Sequence, residues 1–378
     1  MSVASVSSSG EEMLLNMGPQ HPSTHGVLRF ILRTDGEVIS AVEPDIGFLH
    51  RSIEKIAEIV TFEQFMPYTD RVDYLAAMNA NHAWARAVEE IAHIEVPRRA
   101  QVIRVITDEL NRIISHLLGG VGALAMDLGA VTPFLHAIRE RETVNDIIES
   151  LCGARLTYNY VRIGGVWYDL PRNFADRTLE FLDHFEPALD EFDRLAGQNK
   201  IFKERLAGVG VVSAKDAIAH GLVGPNLRAS GVKYDLRRNM PYSIYPELEF
   251  DIPVGQGILG TVGDCYDRYW VRIQEMRESV KILRQAFKML PDDKTIKAKL
   301  PSVLKPPAGE IYVAVEAPRG EMGWYLVTNG GPKAHRGRVR TGSYAAMSAI
   351  RFISRGLMIA DLVACIAAFD TIAPEVDR

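Results

Sequence analysis

Cysteine is scarce: only Cys152, Cys265 and Cys365 occur among 378 residues, far apart in sequence and none in a C-x-x-C pair. That spacing argues against a disulfide framework, and against a zinc or iron–sulfur site held by this chain alone. Any metal in a working assembly is therefore expected to belong to a neighbour. A basic excess is lacking as well. The 43 Lys and Arg face 48 Asp and Glu, a net charge of −5, which gives no reason to expect nucleic acid as a partner. No Gly/Ser-rich or Pro-rich linker and no internal repeat divides the chain. The expected organisation is a tail, loop and hairpin over residues 1–45 and one helical unit with β additions over 46–378. The opening MSVASVSSSGEE has no apolar stretch and reads as a disordered tip rather than a signal peptide. A long uninterrupted apolar run is missing too. The nearest approach, Ile113–Val131, contains His116, Asp127 and four glycines and follows the charged run Arg98–Arg112. It reads as a buried core helix, not a membrane span, so any membrane association would be peripheral.

With 47% hydrophobic and 24% charged residues, the chain has ample material for a large core. Apolar-rich strands are expected at Val27–Thr34 and Glu37–Val42 around Asp35-Gly36, a pair suited to a tight hairpin turn. Helical spacing then dominates Asp70–Ala92, Pro97–Asp127, Thr132–Ser150 and Arg172–Gly197, with Pro97 and Pro133 in first-turn positions and Thr132 able to cap its helix. Pro187 should kink or interrupt the last of these. Gly221–Gly260 reads as an extended loop region, followed by a long helix at Asp264–Leu290. Short strands near Ile311–Glu316 and Trp324–Thr328 and a small-residue helical stretch, Ser343–Phe369, complete the chain. The fold class is mainly α (α+β): a long-helix bundle with an N-terminal β-hairpin and short C-terminal strands, an architecture that builds sites between facing helices.

Several residues are candidates for chemistry. The loop GPQHPSTHG (Gly18–Gly26) carries His21 and His25 on irregular backbone ahead of the hairpin. Such a loop can present a catalytic histidine, or the two rings can simply satisfy backbone groups in a tight turn. In Tyr68–Met78, Asp70 is suited to cap a helix and Asp73 to meet its positive end, with Tyr74 on the face of Asp70. The Tyr74 phenol is either a proton donor in a pocket or a core aromatic. Asp127 stands among small and apolar side chains. It is either buried and in need of a donor such as a histidine, or exposed beside a helix end at Gly129. His50-Arg51, Arg71, Arg155, Arg162 and Arg237-Arg238 are solvated charges or groups poised over an electron-accepting centre or a partner's carboxylates.

The segments GPQHPSTHGVLR, IGFLHRSIEK, YTDRVDYL, MDLGAVTPF, RERE (Arg139–Glu142), CGARLTYNYVRIGGV, LRASGVKYDLRR and EAPRGEMGWYLV together resemble, in order, the quinone-site subunit family of respiratory complex I, the 49 kDa subunits. The resemblance runs from about Gly18 to Arg378. It implies that His25 and Tyr74 donate hydrogen bonds to a quinone headgroup, menaquinone or ubiquinone, and that Asp127 pairs with His25. It places Arg51 and Arg71 towards an iron–sulfur cluster held by an adjacent small subunit. It further implies other peripheral-arm and membrane-arm partners, a proton-pumping NADH:quinone oxidoreductase as the whole, and a position on the cytoplasmic face of the inner membrane. An equivalent subunit fed by ferredoxin or a deazaflavin, and a non-catalytic scaffold, are the alternative readings. The family is also similar to the large subunits of NiFe hydrogenases, which hold metal with two C-x-x-C pairs. The matching regions here, LHRSIEK and FDTIAPEVDR, have no cysteine, so hydrogen chemistry is not expected. Two departures stand out. Thr157 occupies a position where many ubiquinone-reducing relatives carry histidine, a pointer to a lower-potential quinone such as menaquinone. Ala373-Pro374 replaces a larger apolar residue and glycine.

Overall fold

The computed structural model describes residues 12–21, 24 and 26–378. The expected disordered tip, apart from Glu12, lies outside them. The Asp35-Gly36 turn does join two antiparallel strands, β2 (Arg29–Asp35) and β3 (Val38–Asp45), with Gly36 at φ 60°. An additional edge strand, β1 (Met13–Met17), pairs with β2 in the register Met17↔Phe30. In β2 the alternate residues Phe30, Leu32 and Thr34 are buried, the period expected of a sheet with one covered face.

Helices follow: α1 (Ile53–Ile59), α2 (Phe62–Thr69), α3 (Ala77–Ile91) and α4 (Arg98–Ser115). α4 continues without a break into a π-helix, His116–Ala123, and then α5 (Leu124–Asp127). α6 (Val131–Cys152) has Pro133 in its first turn, with Thr132 inside the helix rather than capping it. The short pair β4 (Val161–Arg162) and β5 (Gly165–Val166) precedes α7 (Phe174–Leu195), which runs through Pro187 uninterrupted. The region 221–260, expected to be an extended loop, contains short helices. After α8 (Lys200–Leu206) and α9 (Ala214–Ala219) come α10 (Gly224–Ala229) and α11 (Leu236–Asn239), and a 3₁₀ turn covers Tyr245–Glu247. The longest helix, α12 (Cys265–Lys288), packs along α4. A second antiparallel sheet contains β6 (Gly309–Ala317), β7 (Gly320–Thr328) and β8 (Arg336–Arg340). The tail is three helices rather than one stretch: α13 (Gly342–Ile353), α14 (Ile359–Phe369) and α15 (Ala373–Asp377).

The molecule is thus mainly helical with small antiparallel sheets. Its buried apolar side chains form one continuous cluster from Met17 to Val376. Trp84 of α3 meets Trp324 of β7 edge-on at 4.9 Å between ring centroids, which locks the C-terminal sheet onto the first core helix. None of the described helices is long and apolar enough to cross a membrane.

Candidate functional site

The expected helix from Asp70 begins only at Ala77. Asp70 is instead the C-terminal cap of α2, and residues 70–76 form a chain of turns. The turns are stable because their backbone groups have partners. Asp73 Oδ1 accepts from the amides of Leu75 (3.0 Å) and Ala76 (3.2 Å). Asn111 of α4 donates to the Leu75 carbonyl and accepts from the Met78 amide. Side-chain bonds of this kind compete with a helix and win when both ends are buried. They hold Tyr74 half-buried at the edge of the core. Burial raises its phenol pKa. Arg319 opposes that rise, while Asp73 and Asp370 reinforce it. Tyr74 therefore keeps its proton at neutral pH.

Arg51 and Arg71, 20 residues apart in sequence, meet: Arg51 Nη2 donates to the Arg71 carbonyl at 2.7 Å. Arg71 in turn donates to both oxygens of Asp70 at 3.1 Å and to the Pro67 carbonyl. Burial pushes the Asp70 carboxyl up to about 7 against the pull of Arg71 and Arg162. Arg162 lies over the exposed Trp167 ring, 4.2 Å from its centroid. Three guanidiniums and one carboxyl of intermediate acidity thus gather beside the Tyr74 segment. Thr157 sits half-buried with a left-handed backbone (φ 49°).

His25 lies outside the described residues. The end of its loop is fixed, however: a Cβ on Gly26 would come within 3.1 Å of the Ala373 Cβ, so the loop packs on the start of α15. Asp127 is the last residue of α5. Gly129 (φ 83°) lies two residues beyond that end, with the Ala130 amide bonded to the Ala125 carbonyl, and Asp127 is half-buried. Neither Asp127 nor His21 is without a partner.

The most concentrated charge near Tyr74 was not foreseen from the sequence. Arg319 occupies the two-residue turn between β6 and β7 and is fully buried. Its Nη1 donates to Asp73 Oδ2 (2.8 Å) and Ser115 Oγ (3.0 Å), its Nη2 to Asp370 Oδ1 (3.2 Å) and its Nε to the Asp370 carbonyl (3.1 Å). Glu375 of α15 completes the group, accepting from the amide (3.3 Å) and hydroxyl of Ser343. The same short helix clasps the strand-to-helix loop that carries Arg51. Asp377 accepts from the amides of Gly47 (2.8 Å) and Leu49 (2.7 Å), and His50 Nδ1 lies 2.8 Å from the Asp377 carbonyl. The signal available in the sequence was EVDR at the end of FDTIAPEVDR and the arginine of EAPRG: charges inside otherwise apolar segments.

The remaining charges singled out by sequence have structural partners. Arg155 pairs with Glu142, Asp146 and Glu149. Arg237 is buried against Asp235 and Glu109, and Arg238 covers Phe250. Two of the distant cysteines come together, Cys265 and Cys365, with sulfurs 3.7 Å apart. Among the described residues no group of three or more His, Cys, Asp or Glu side chains is arranged to hold a metal ion.

The family described as respiratory-chain NADH dehydrogenase, 49 kDa subunit, matches residues 127–306 and 298–378. The chain belongs to this family of oxidoreductase subunits. It is 60% identical over 371 residues to a D-type NADH-quinone oxidoreductase subunit of Sorangium cellulosum, covering 97% of this chain and 95% of that protein. It is 59% identical over 368 residues to the corresponding D-type NADH-quinone oxidoreductase protein of Anaeromyxobacter dehalogenans, covering 97% of each. The D-type counterpart from Chlorobium luteolum is 49% identical over 371 residues, 97% of this chain and 94% of the other.

Proposed function

We propose that this chain forms the quinone-reducing site of a multi-subunit, proton-pumping NADH:quinone oxidoreductase, working with membrane-arm and other peripheral-arm subunits. In this reading it takes electrons from an iron–sulfur cluster in an adjacent small subunit and gives protons to the quinone. It sits peripherally on the cytoplasmic side of the inner membrane. The observation that carries the reading is Tyr74. A protonated, half-buried phenol stands in the 70–76 turns within reach of Arg319 and of Asp370 at the end of α14, three residues after Arg71, which holds Arg51.

Reduction of a quinone to a quinol takes two electrons and two protons, and negative charge develops on two carbonyl oxygens. Two preorganised donors, Tyr74 and His25, would stabilise that charge and deliver the protons. Asp127 paired with His25 would fix the tautomer of the ring and favour its charged form. Arg51 and Arg71, facing the partner's cluster, would stabilise the electron arriving there. The substrate is a quinone, menaquinone or ubiquinone, and Thr157, which cannot titrate, points to a lower-potential one such as menaquinone.

Replacing Tyr74 by Phe in the assembled complex removes one donor and little else. Quinone reduction is expected to fall by about a hundredfold or more, the low end of one proton donor's contribution at about 10²–10⁴. NADH oxidation by a soluble artificial acceptor should persist. Full quinone activity in Tyr74→Phe would remove Tyr74 from the site. His25→Ala and Asp127→Asn should lose activity non-additively in a double-mutant cycle.

A further inference from the structure

The buried group behind Tyr74 carries more acid than base. Three carboxyls, Asp73, Asp370 and Glu375, face two guanidiniums, Arg319 and Arg272. Asp73 and Asp370 each take a direct ion pair from Arg319, at 2.8 and 3.2 Å. Glu375 takes none among the described residues. Its bonds come from Ser343, whose hydroxyl also accepts from the Ile372 amide at 3.1 Å. Its Oε1 is buried with no hydrogen-bond partner among the described residues, and the side chain is 1% exposed. An unpaired carboxylate in such a place is costly, and uptake of a proton removes the cost. Burial and the neighbouring Asp73 accordingly push the Glu375 carboxyl up to about 8.

We propose that Glu375 holds a proton in the resting protein and, acting through the Asp73–Arg319 pair, sets how readily Tyr74 gives up its phenolic proton. This positioning role rests on the reading of Tyr74 as a proton donor to quinone. Asp73 precedes Tyr74 in the chain, and Asp73, Asp370 and Arg319 all act on the phenol. When the proton leaves Tyr74 for the reduced quinone, a phenolate remains beside these charges. A neutral Glu375 adds nothing to them, whereas an ionised Glu375 adds one negative charge and makes the phenolate harder to form. The charged groups that act on Glu375 are Asp73 from the turn segment and Arg319 from the β6–β7 turn; Asp370 and Tyr74 face the same Arg319, Arg272 faces Asp370, and Asp377 and Arg378 lie beside Glu375 in the chain. Burial raises Asp73 as well, but Asp73 is ion-paired with Arg319, whereas Glu375 takes no ion pair among the described residues.

The sign follows directly. Glu375 is neutral below about pH 8 and ionises above it, so donation by Tyr74 should slow as pH rises through that value. The test uses the assembled complex carrying Glu375→Gln or Glu375→Asp. Quinone reduction is measured from about pH 6 to about pH 9, with NADH oxidation by an artificial acceptor as the control for assembly. The parent rate, normalised to its own maximum, should fall on the alkaline side. Glu375→Gln cannot ionise and should lose that fall, while Glu375→Asp should keep it. Infrared difference spectra between the two pH values should show loss of a protonated-carboxyl band in the parent and a smaller loss, due to Asp70, in Glu375→Gln. An unchanged alkaline fall in Glu375→Gln, or a carboxyl band that the substitution leaves undiminished, overturns the proposal. The two readings fail separately. If Tyr74→Phe loses activity but Glu375→Gln keeps the parent's pH profile, the site stands and the role of Glu375 falls. Full activity in Tyr74→Phe removes both.

Discussion

Asp70 illustrates how burial and charge decide the chemistry of a single residue. Read from sequence it was a helix cap, because acids cluster just before an apolar-periodic run. In the fold it closes α2, and its carboxyl is 1% exposed with Arg71 at its edge. Its pKa is raised to about 7 from an ordinary value of 3.8. The folded protein therefore binds a proton here that the unfolded chain has already released by about pH 5. The stability from this group is fully present below the ordinary carboxyl value and is lost as pH rises through about 7. Asp70→Asn keeps the shape and removes the titration. It should stabilise the complex at pH 8 by about 1–2 kcal/mol relative to its effect at pH 4, since each pKa unit is worth about 1.4 kcal/mol and Arg71 is partly screened by solvent. Thermal midpoints at the two pH values measure this, and an equal shift at both would exclude Asp70 as the titrating group. The site's other buried charges were illegible for one reason. Charged residues lie on the surface by default, and the contact that buries Arg319 joins it to Asp73, 246 positions away. Arg51 and Arg71 stood among several basic candidates and were set apart from the others only through the family resemblance, and their mutual contact became visible with the fold.

At the scale of elements, the long helices, the N-terminal hairpin and the strands Ile311–Glu316 and Trp324–Thr328 could be read from sequence because periodicity and turn chemistry are local. What escaped were features set by tertiary contacts: the interruption at 70–76, the short helices of 221–260, and the edge strands β1 and β8. The π-helix His116–Ala123 belongs to this class. Its sequence, HLLGGVGA, reads as part of a buried core helix, but its glycines are where large polar side chains come in. A Cβ on Gly119 would stand 2.3 Å from Asp370 Oδ1 and 3.0 Å from Arg319 Nη2, and one on Gly120 would stand 2.4 Å from Arg272 Cδ. The wide turn and the missing side chains make room for the charged group behind Tyr74. Gly119→Ala should destabilise by about 1–3 kcal/mol, the usual cost of overpacking, and should lower quinone reduction more than artificial-acceptor activity by displacing Arg319. Gly309→Ala, where a Cβ meets nothing within 4 Å, should shift stability by no more than about 0.5 kcal/mol. Equal effects at the two positions would show that close approach at Gly119 is not the cause.

Across the whole molecule, a buried ionic network joins elements that the sequence gives no reason to associate. His116 at the start of the π-helix bonds Glu275 of α12 (2.9 Å), and Glu275 accepts from Arg228 Nε of α10 (2.8 Å). Arg228 also meets Glu316 of β6 (2.8 Å) and Asp235 (3.4 Å). Asp235 bonds Arg237 (2.7 Å), and Arg237 reaches Glu109 of α4 (3.1 Å), which holds Arg112 (3.2 Å). Such a network is a poor source of net stability but is severe when broken, because each removed partner leaves an uncompensated charge. Glu275 makes the direction clear. Burial alone would raise its pKa, yet Arg228 and His116 hold it well below the ordinary carboxylate range. Its stabilisation is therefore present at neutral pH and lost only in strong acid. Removing Arg228 takes away the guanidinium shared by three carboxylates. Arg228→Met should cost about 3–5 kcal/mol near pH 7 and lose part of that penalty as pH falls and the stranded carboxyls protonate. Arg228→Lys keeps the charge but cannot span Glu275, Glu316 and the Tyr234 carbonyl at once, so it should recover only part of the loss. Thermal unfolding of the assembled complex at two pH values distinguishes the cases. If Arg228→Lys matches the parent, point charge alone sustains the network and the fork geometry of the guanidinium does not.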